Sequence, residues 1–156
     1  VAGWWIGGGL AVGFEPSRGL PAFGADVLPL ELRAPAGDRS VAVAVDWAQL
    51  VASSALSPRA TVGLAGFVER EAHGLRWGPG VEVGVGGEVR VVDGELARRT
   101  TGGVAPAVRV GVPLRAGPCV VAPALRGALG VQGVDGSAEV WARGLLELTV
   151  LGRVAR

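Results

Sequence analysis

The sequence predicts an all-β fold, an eight-stranded antiparallel up-and-down transmembrane β-barrel, on three observations. Large apolar residues alternate with Gly, Ala or a single charge through eight segments. Runs of turn residues separate those segments at short intervals. The non-apolar parity carries little bulk and charges of both signs. Side chains alternate across a strand, so each segment has one greasy face and one small, sparsely charged face.

The first segment sets Trp4, Ile6, Leu10, Val12 and Phe14 against Gly7, Gly9, Ala11 and Gly13. The second opposes Leu28, Leu30 and Leu32 to Val27, Glu31 and Arg33. The third opposes Val41, Val43, Val45 and Trp47 to Ala42, Ala44, Asp46 and Ala48. Val62, Leu64 and Val68 face away from Thr61, Gly63, Ala65 and Glu69 in the fourth, and Val81 to Val91 face away from Glu82, Gly84, Gly86, Glu88 and Arg90 in the fifth. The sixth places Val104, Val108, Val110, Val112 and Leu114 opposite Ala105, Ala107, Arg109, Gly111 and Arg115. The seventh places Val121, Leu125, Leu129 and Val131 opposite Ala122, Ala124, Arg126, Ala128 and Gln132. The eighth places Val140, Leu146, Leu148 and Val150 opposite Glu139, Arg143, Glu147 and Arg153.

Turn-forming stretches lie between them: residues 15–19, 36–39, 53–58, 71–74, 93–103, 116–118 and 133–136. None has room for a crossover helix, so successive strands are expected to pair antiparallel. With no break in composition, residues 1–156 read as a single barrel domain.

The charges decide which face looks inward. The small parity holds Glu31, Asp46, Glu69, Glu82, Glu88, Glu139 and Glu147, and as many arginines: Arg33, Arg90, Arg109, Arg115, Arg126, Arg143 and Arg153. The apolar parity holds only Asp26, at a strand end. Small residues with balanced charges suit a narrow lumen crossed by ion pairs, while the greasy face suits lipid. Matching parity on neighbouring strands predicts interior pairs of Glu82 with Arg109 and of Arg126 with Glu147.

The aromatics fall near strand ends, as interfacial belts require. Trp4, Phe14, Trp47 and Trp77 have lipid-facing parity, whereas Trp5, Phe23, Phe67 and Trp141 have the inward one. No segment forms a spanning helix, since the longest charge-free run, Val1 to Phe14, is broken by glycines. Export to an outer membrane needs a signal peptide, expected to be removed or to lie outside this sequence.

This pattern resembles the small eight-stranded outer-membrane barrels of Gram-negative bacteria, such as the transmembrane domain of outer-membrane protein A. The resemblance covers nearly the whole chain and rests on periodicity, strand number and length. It implies a closed barrel in the outer membrane, short periplasmic turns, longer outer loops and no cofactor. Two features depart from the family. Tyr is absent, as are Lys and Asn, with Ile only at Ile6, a composition expected of a GC-rich genome. The chain also ends Gly152-Arg153-Val154-Ala155-Arg156 where the family's last strand usually ends in an aromatic residue.

With the amino terminus periplasmic, the outer loops are expected at 15–22, 51–58, 93–103 and 133–137. Arg98 and Arg99, beside Asp93 and Glu95, are the candidates for binding lipopolysaccharide or another anionic surface partner. His73, the sole histidine, sits in a turn without metal-ligand spacing, and Cys119 is also alone. No nucleophile motif and no phosphate loop are present, so no enzyme, metal or cofactor is expected. A net charge of +1 without a basic stripe argues against nucleic acid. Two functions follow. One is a structural, anchoring or surface-interaction barrel with a charge-plugged interior, its partner the membrane lipid. The alternative is a soluble, lipocalin-like barrel with the apolar face lining a ligand pocket.

Overall fold

A ring of eight staves is what the alternation produces in the computed structural model, which describes residues 3–15, 22–52 and 57–155, without the side chains of residues 22–23, 48–52, 57–59, 90–92 and 155. The strands are β1 (Trp4–Glu15), β2 (Ala22–Ala36), β3 (Arg39–Ala52), β4 (Ser57–Ala72), β5 (Leu75–Val92), β6 (Glu95–Gly111), β7 (Leu114–Ala116), β8 (Cys119–Val134) and β9 (Ser137–Ala155). Neighbours pair antiparallel and β9 returns to β1. Both β6 and β7 pair with β8, so they are two lengths of one stave interrupted at Val112 and Pro113. Pro113 has no amide hydrogen to offer, and the amide of Val112 donates to the Pro123 carbonyl at 2.9 Å across the break. Closing the ring pairs backbone groups that an open sheet edge would leave bare.

The connections are tighter than the turn-rich composition suggests. His73-Gly74, Asp93-Gly94 and Asp135-Gly136 all have positive φ (52° and 76°, 52° and 84°, 47° and 85°), the two-residue type I′ arrangement that matches strand twist. Consequently residues 95–103, expected within a loop, belong to β6. The expected loops at 15–22 and 51–58 reduce to residues 16–21 and 53–56, which lie outside the described residues.

Parity sorts the side chains as the alternation requires. Val62, Leu64, Val81, Val83, Val85, Val104, Leu125, Leu146 and Leu148 are exposed on the outer face. Ala42, Ala65, Phe67, Ala105, Ala107 and Ala128 form a buried inner cluster with Trp141 against it; Ala11, Leu28, Ala44 and Leu145 form another. The interior core is built chiefly of alanine because a small ring leaves little room for bulk. The soluble alternative is the reverse of this arrangement: the valine and leucine face is outside, and no apolar pocket lines the lumen among the described residues.

One strand departs from simple alternation. A bulge shifts the register of β2 against β3 between Val27 and Leu30, and against β1 between Gly7 and Gly9. One added residue flips the parity beyond it. Asp26 and Leu28, expected on the lipid face, are therefore fully buried inside, while Val27, expected inside, is exposed. Pro29 supplies the reason, since it cannot donate to a ladder and is confined to bulges or edges. Gly8 supplies the room: a Cβ there would come within 2.6 Å of the Leu28 carbonyl oxygen.

Candidate functional site

Strands of every stave send a charge or a ring to the middle of the barrel. Toward the mouth that holds Trp4, Arg33 of β2 contacts Glu31 at 2.8 Å, pairs with Glu69 of β4, and donates to the Ser40 hydroxyl of β3 at 3.1 Å. Arg109 of β6 reaches across the ring, 2.7 Å from Glu69 and 2.9 Å from Glu31. In the other half, Arg126 of β8 lies 2.9 Å from Asp46 of β3, 3.0 Å from Glu82 of β5 and 2.9 Å from Glu147 of β9. Arg143 of β9 pairs with Asp26 and lies 3.5 Å from Asp46, 3.6 Å from Glu82 and 3.6 Å from Glu15 of β1.

Glu147 joins the two halves, since its other oxygen is 3.7 Å from Arg109. Phe67 meets both halves, its ring centroid 4.8 Å from the Arg109 guanidinium carbon and 6.0 Å from that of Arg126. The guanidinium fork shows at Arg109, whose Nε donates to Glu69 of β4 while its two terminal nitrogens donate to both oxygens of Glu31 of β2, whereas Arg126 donates to Asp46 and meets Glu82 and Glu147 as ion pairs at Nε.

Among the residues expected inside, Glu31, Arg33, Asp46, Glu69, Glu82, Glu88, Arg109, Arg126, Arg143 and Glu147 are buried. The side chain of Arg90 lies outside the described residues. Arg115 and Arg153 are exposed near the Trp4 mouth, where Arg115 sits 3.4 Å from Glu71. The expected Arg126–Glu147 contact is present at 2.9 Å. Glu82 pairs with Arg126 and Arg143 in place of Arg109. The ladder gives the cause: Glu82 is opposite Ala105, whereas Arg109 is opposite Gly78, four residues further along β5. Asp26, Glu15 and Ser40 complete the network and were not singled out by parity, and only the proline in β2 signals the first of them; Phe67 is buried as its inward parity requires.

At the surface, Trp4, Phe14, Trp47 and Trp77 all point outward, 54%, 39%, 51% and 49% exposed. Trp5 packs inward against Val120, Ala122 and Leu151, and Trp141 and Phe67 are also inward; the Phe23 side chain lies outside the described residues. Arg98 and Arg99 do not form one binding pair. Consecutive residues of β6 face opposite ways, so Arg98 is exposed on the outer face while Arg99 turns to Asp135 at 3.0 Å. That carboxylate also accepts from the Thr100 amide at 3.2 Å, capping the end of the β8–β9 turn. His73 is exposed in its turn, and Cys119 is a half-buried free thiol.

A closed ring of antiparallel strands, greasy outside and ion-paired inside, defines the small eight-stranded transmembrane β-barrel of outer-membrane type. Solved structures share that fold. Neisserial surface protein A superposes with a TM-score of 0.67 at 13% identity, covering 98% of both chains. Ail, the attachment invasion locus protein of Yersinia pestis, gives 0.65 at 14% identity, covering 99% of this chain and all of its own. A major outer membrane protein from Thermus thermophilus gives 0.52 at 14% identity over 97% of this chain and 99% of that one. Ail has also been solved in complex with the heparin analogue sucrose octasulfate. No family model and no curated protein sequence matches the chain.

Proposed function

We propose that the chain is a non-enzymatic barrel of the outer membrane of a Gram-negative bacterium, a structural or anchoring module with a charge-plugged interior and surface contacts at its outer mouth. The observation that carries this reading is the reversal of the usual soluble pattern: large apolar side chains cover the outside while carboxylates and guanidiniums fill the lumen. Such a surface is favourable only in lipid. The mouth with turns at 37–38, 73–74 and 117–118 is the periplasmic one in this reading, because the two longer connections, β1–β2 and β3–β4, both lie at the other mouth, beside the tight turns at 93–94 and 135–136.

Arg109 and Arg126 span to carboxylates four staves away around the ring, on β2 and β3 respectively, which is the arrangement of a plug more than of a pore lining. Ail's complex with a heparin analogue supports polyanions as the class of surface partner to test, and Arg98 is the exposed cation of β6 available to one. Refolding the purified chain with and without detergent micelles tests the membrane reading: strand-rich structure and heat-modifiable gel mobility are expected only with detergent. Folding to a monodisperse protein in plain buffer would overturn it. For the plug, planar-bilayer conductance is expected to be small in the wild type and larger in Arg126→Ala; an unchanged conductance would sink that part.

A further inference from the structure

The lumen is filled by ion pairs in its middle and opens toward the mouth that holds the β8–β9 turn. There one inward row crosses the staves from β3 to β9 as Asp46, Gly63, Gly84, Gly103, Gln132 and Glu139. Three glycines in succession leave the wall bare between polar ends. A Cβ at Gly84 would meet nothing closer than 3.7 Å, so the backbone does not require a glycine at that position. Its missing side chain leaves room in the lumen instead.

The result is an alcove of about 40 Å³ whose lining includes Thr61, Thr101, Gln132, Glu139 and Trp141. Its Gln132–Glu139 pair lies two residues below Val134–Ser137, the pair that closes the β8–β9 turn, a depth of about 7 Å at roughly 3.4 Å per residue. A Cβ at Gly103 would come within 3.0 Å of the Gln132 Cβ and 3.2 Å of the Trp141 Cε3, so the indole covers that glycine beside the amide. Two cations border the alcove, and carboxylates already hold both. Arg143 pairs with Asp26 and lies 3.5 to 3.6 Å from Asp46, Glu82 and Glu15, while Arg99 lies 3.0 Å from Asp135. The side chains of Gln132 and Glu139, half-buried and opposite each other, have no hydrogen bond or ion pair among the described residues. Glu15 and Glu88 also border the space, so its field favours a positive charge.

We propose that this alcove binds a primary alkylammonium, the end of a polyamine or of a lysine side chain, with its N–H groups on the Glu139 carboxylate, the Gln132 amide oxygen and the Thr101 hydroxyl and its charge beside Trp141. An ammonium has three donors and no acceptor, and these three groups supply acceptors to match. The indole adds a cation–π contact. The volume holds roughly three water-sized groups, which suits the tip of an aliphatic amine and is too small for a sugar ring. No group of three carboxylate, imidazole or thiol side chains that could hold a metal ion occurs among the described residues, so the donors suit an ammonium better than a divalent cation. The proposal rests on the outer-mouth reading for access to the amine and adds a ligand class to it.

The test uses the intact chain refolded in non-ionic detergent micelles and isothermal titration calorimetry. The probes are spermidine, tetralysine with blocked termini, and permethylated spermidine, which keeps the charges without an N–H. Spermidine is expected to bind the wild type and its permethylated form to fail. Glu139→Gln should weaken spermidine about tenfold, the weight of one hydrogen bond to a charged group. Gly84→Leu, which the backbone accommodates, should abolish binding by filling the alcove. Glu95→Gln, an exposed carboxylate at the tip of the β5–β6 hairpin, should leave it unchanged. Tetralysine binding with the same dependence on Glu139 assigns the amine to a lysine of a partner protein, and binding of spermidine alone assigns it to a free polyamine. No binding of either amine, equal binding of the permethylated form, or equal weakening by Glu95→Gln would overturn the site. Heat-modifiable mobility of all four proteins separates the outcomes: folded barrels without amine preference refute this inference alone, while failure of the wild type to fold in micelles refutes the membrane reading beneath it.

Discussion

Removing the Arg126 guanidinium from the interior has a calculable consequence. It lies within 3.0 Å of Asp46, Glu82 and Glu147, all buried. Replacing it with methionine preserves much of the stem but leaves Asp46 and Glu82 to Arg143 at 3.5 and 3.6 Å, and Glu147 to Arg109 at 3.7 Å. The remaining contacts are too long for good hydrogen bonds. Breaking a buried pair strands a charge and costs about 3 to 5 kcal/mol. Arg126→Met should therefore lose stability of that order in urea titrations of lipid-refolded protein, followed by tryptophan emission and gel mobility. Arg126→Met with Glu147→Gln should recover part of the loss, because one stranded charge is removed with its partner. A loss below about 1 kcal/mol for the single variant would refute the network as a stabilising unit, since that is the scale of an exposed pair.

The bulge in β2 makes Leu28 an interior residue packed with Ala11, Ala44 and Leu145, so Leu28→Ala should cost about 2 to 5 kcal/mol as a cavity, and Leu10→Ala on the lipid face distinctly less, by the same titration. Val83→Arg, in the middle of the apolar wall, should cost about 2 to 4 kcal/mol, while Leu96→Arg near the Asp93-Gly94 turn should cost about 0 to 1 kcal/mol. Phe67→Ala should cost about 3 to 5 kcal/mol and raise bilayer conductance, because it removes the buried ring against which Arg109 and Arg126 both lie.

Much of the fold was legible because one period governs it. Along β3, β5 and β8, alternation alone assigns Ala42, Glu82 and Arg126 to the inside and Val43, Val83 and Leu125 to the outside, as observed. The pattern fails where the period is broken: Pro29 with Gly8 flips Asp26 and Leu28, and Pro113 interrupts a stave. Turn lengths were overestimated because Gly and Thr, abundant at 100–103, signal turns by composition yet pair normally in β6. Pairing across the lumen was the least legible part. Parity shows that Glu82 faces in, but its partner depends on strand stagger, which sets Arg109 four residues away along the ladder. For Arg98 and Arg99, adjacency in sequence misled, since a strand sends neighbours to opposite faces.

The orientation of the two faces is tested most directly by a nitroxide scan of β5 from Val81 to Glu88 in lipid bilayers, in a Cys119→Ser background. Collision with dissolved oxygen should alternate, high at Val81, Val83, Val85 and Gly87 and low at Glu82, Gly84, Gly86 and Glu88. Uniform values, or the opposite alternation, would contradict a barrel whose valine face meets lipid and whose charges fill its interior.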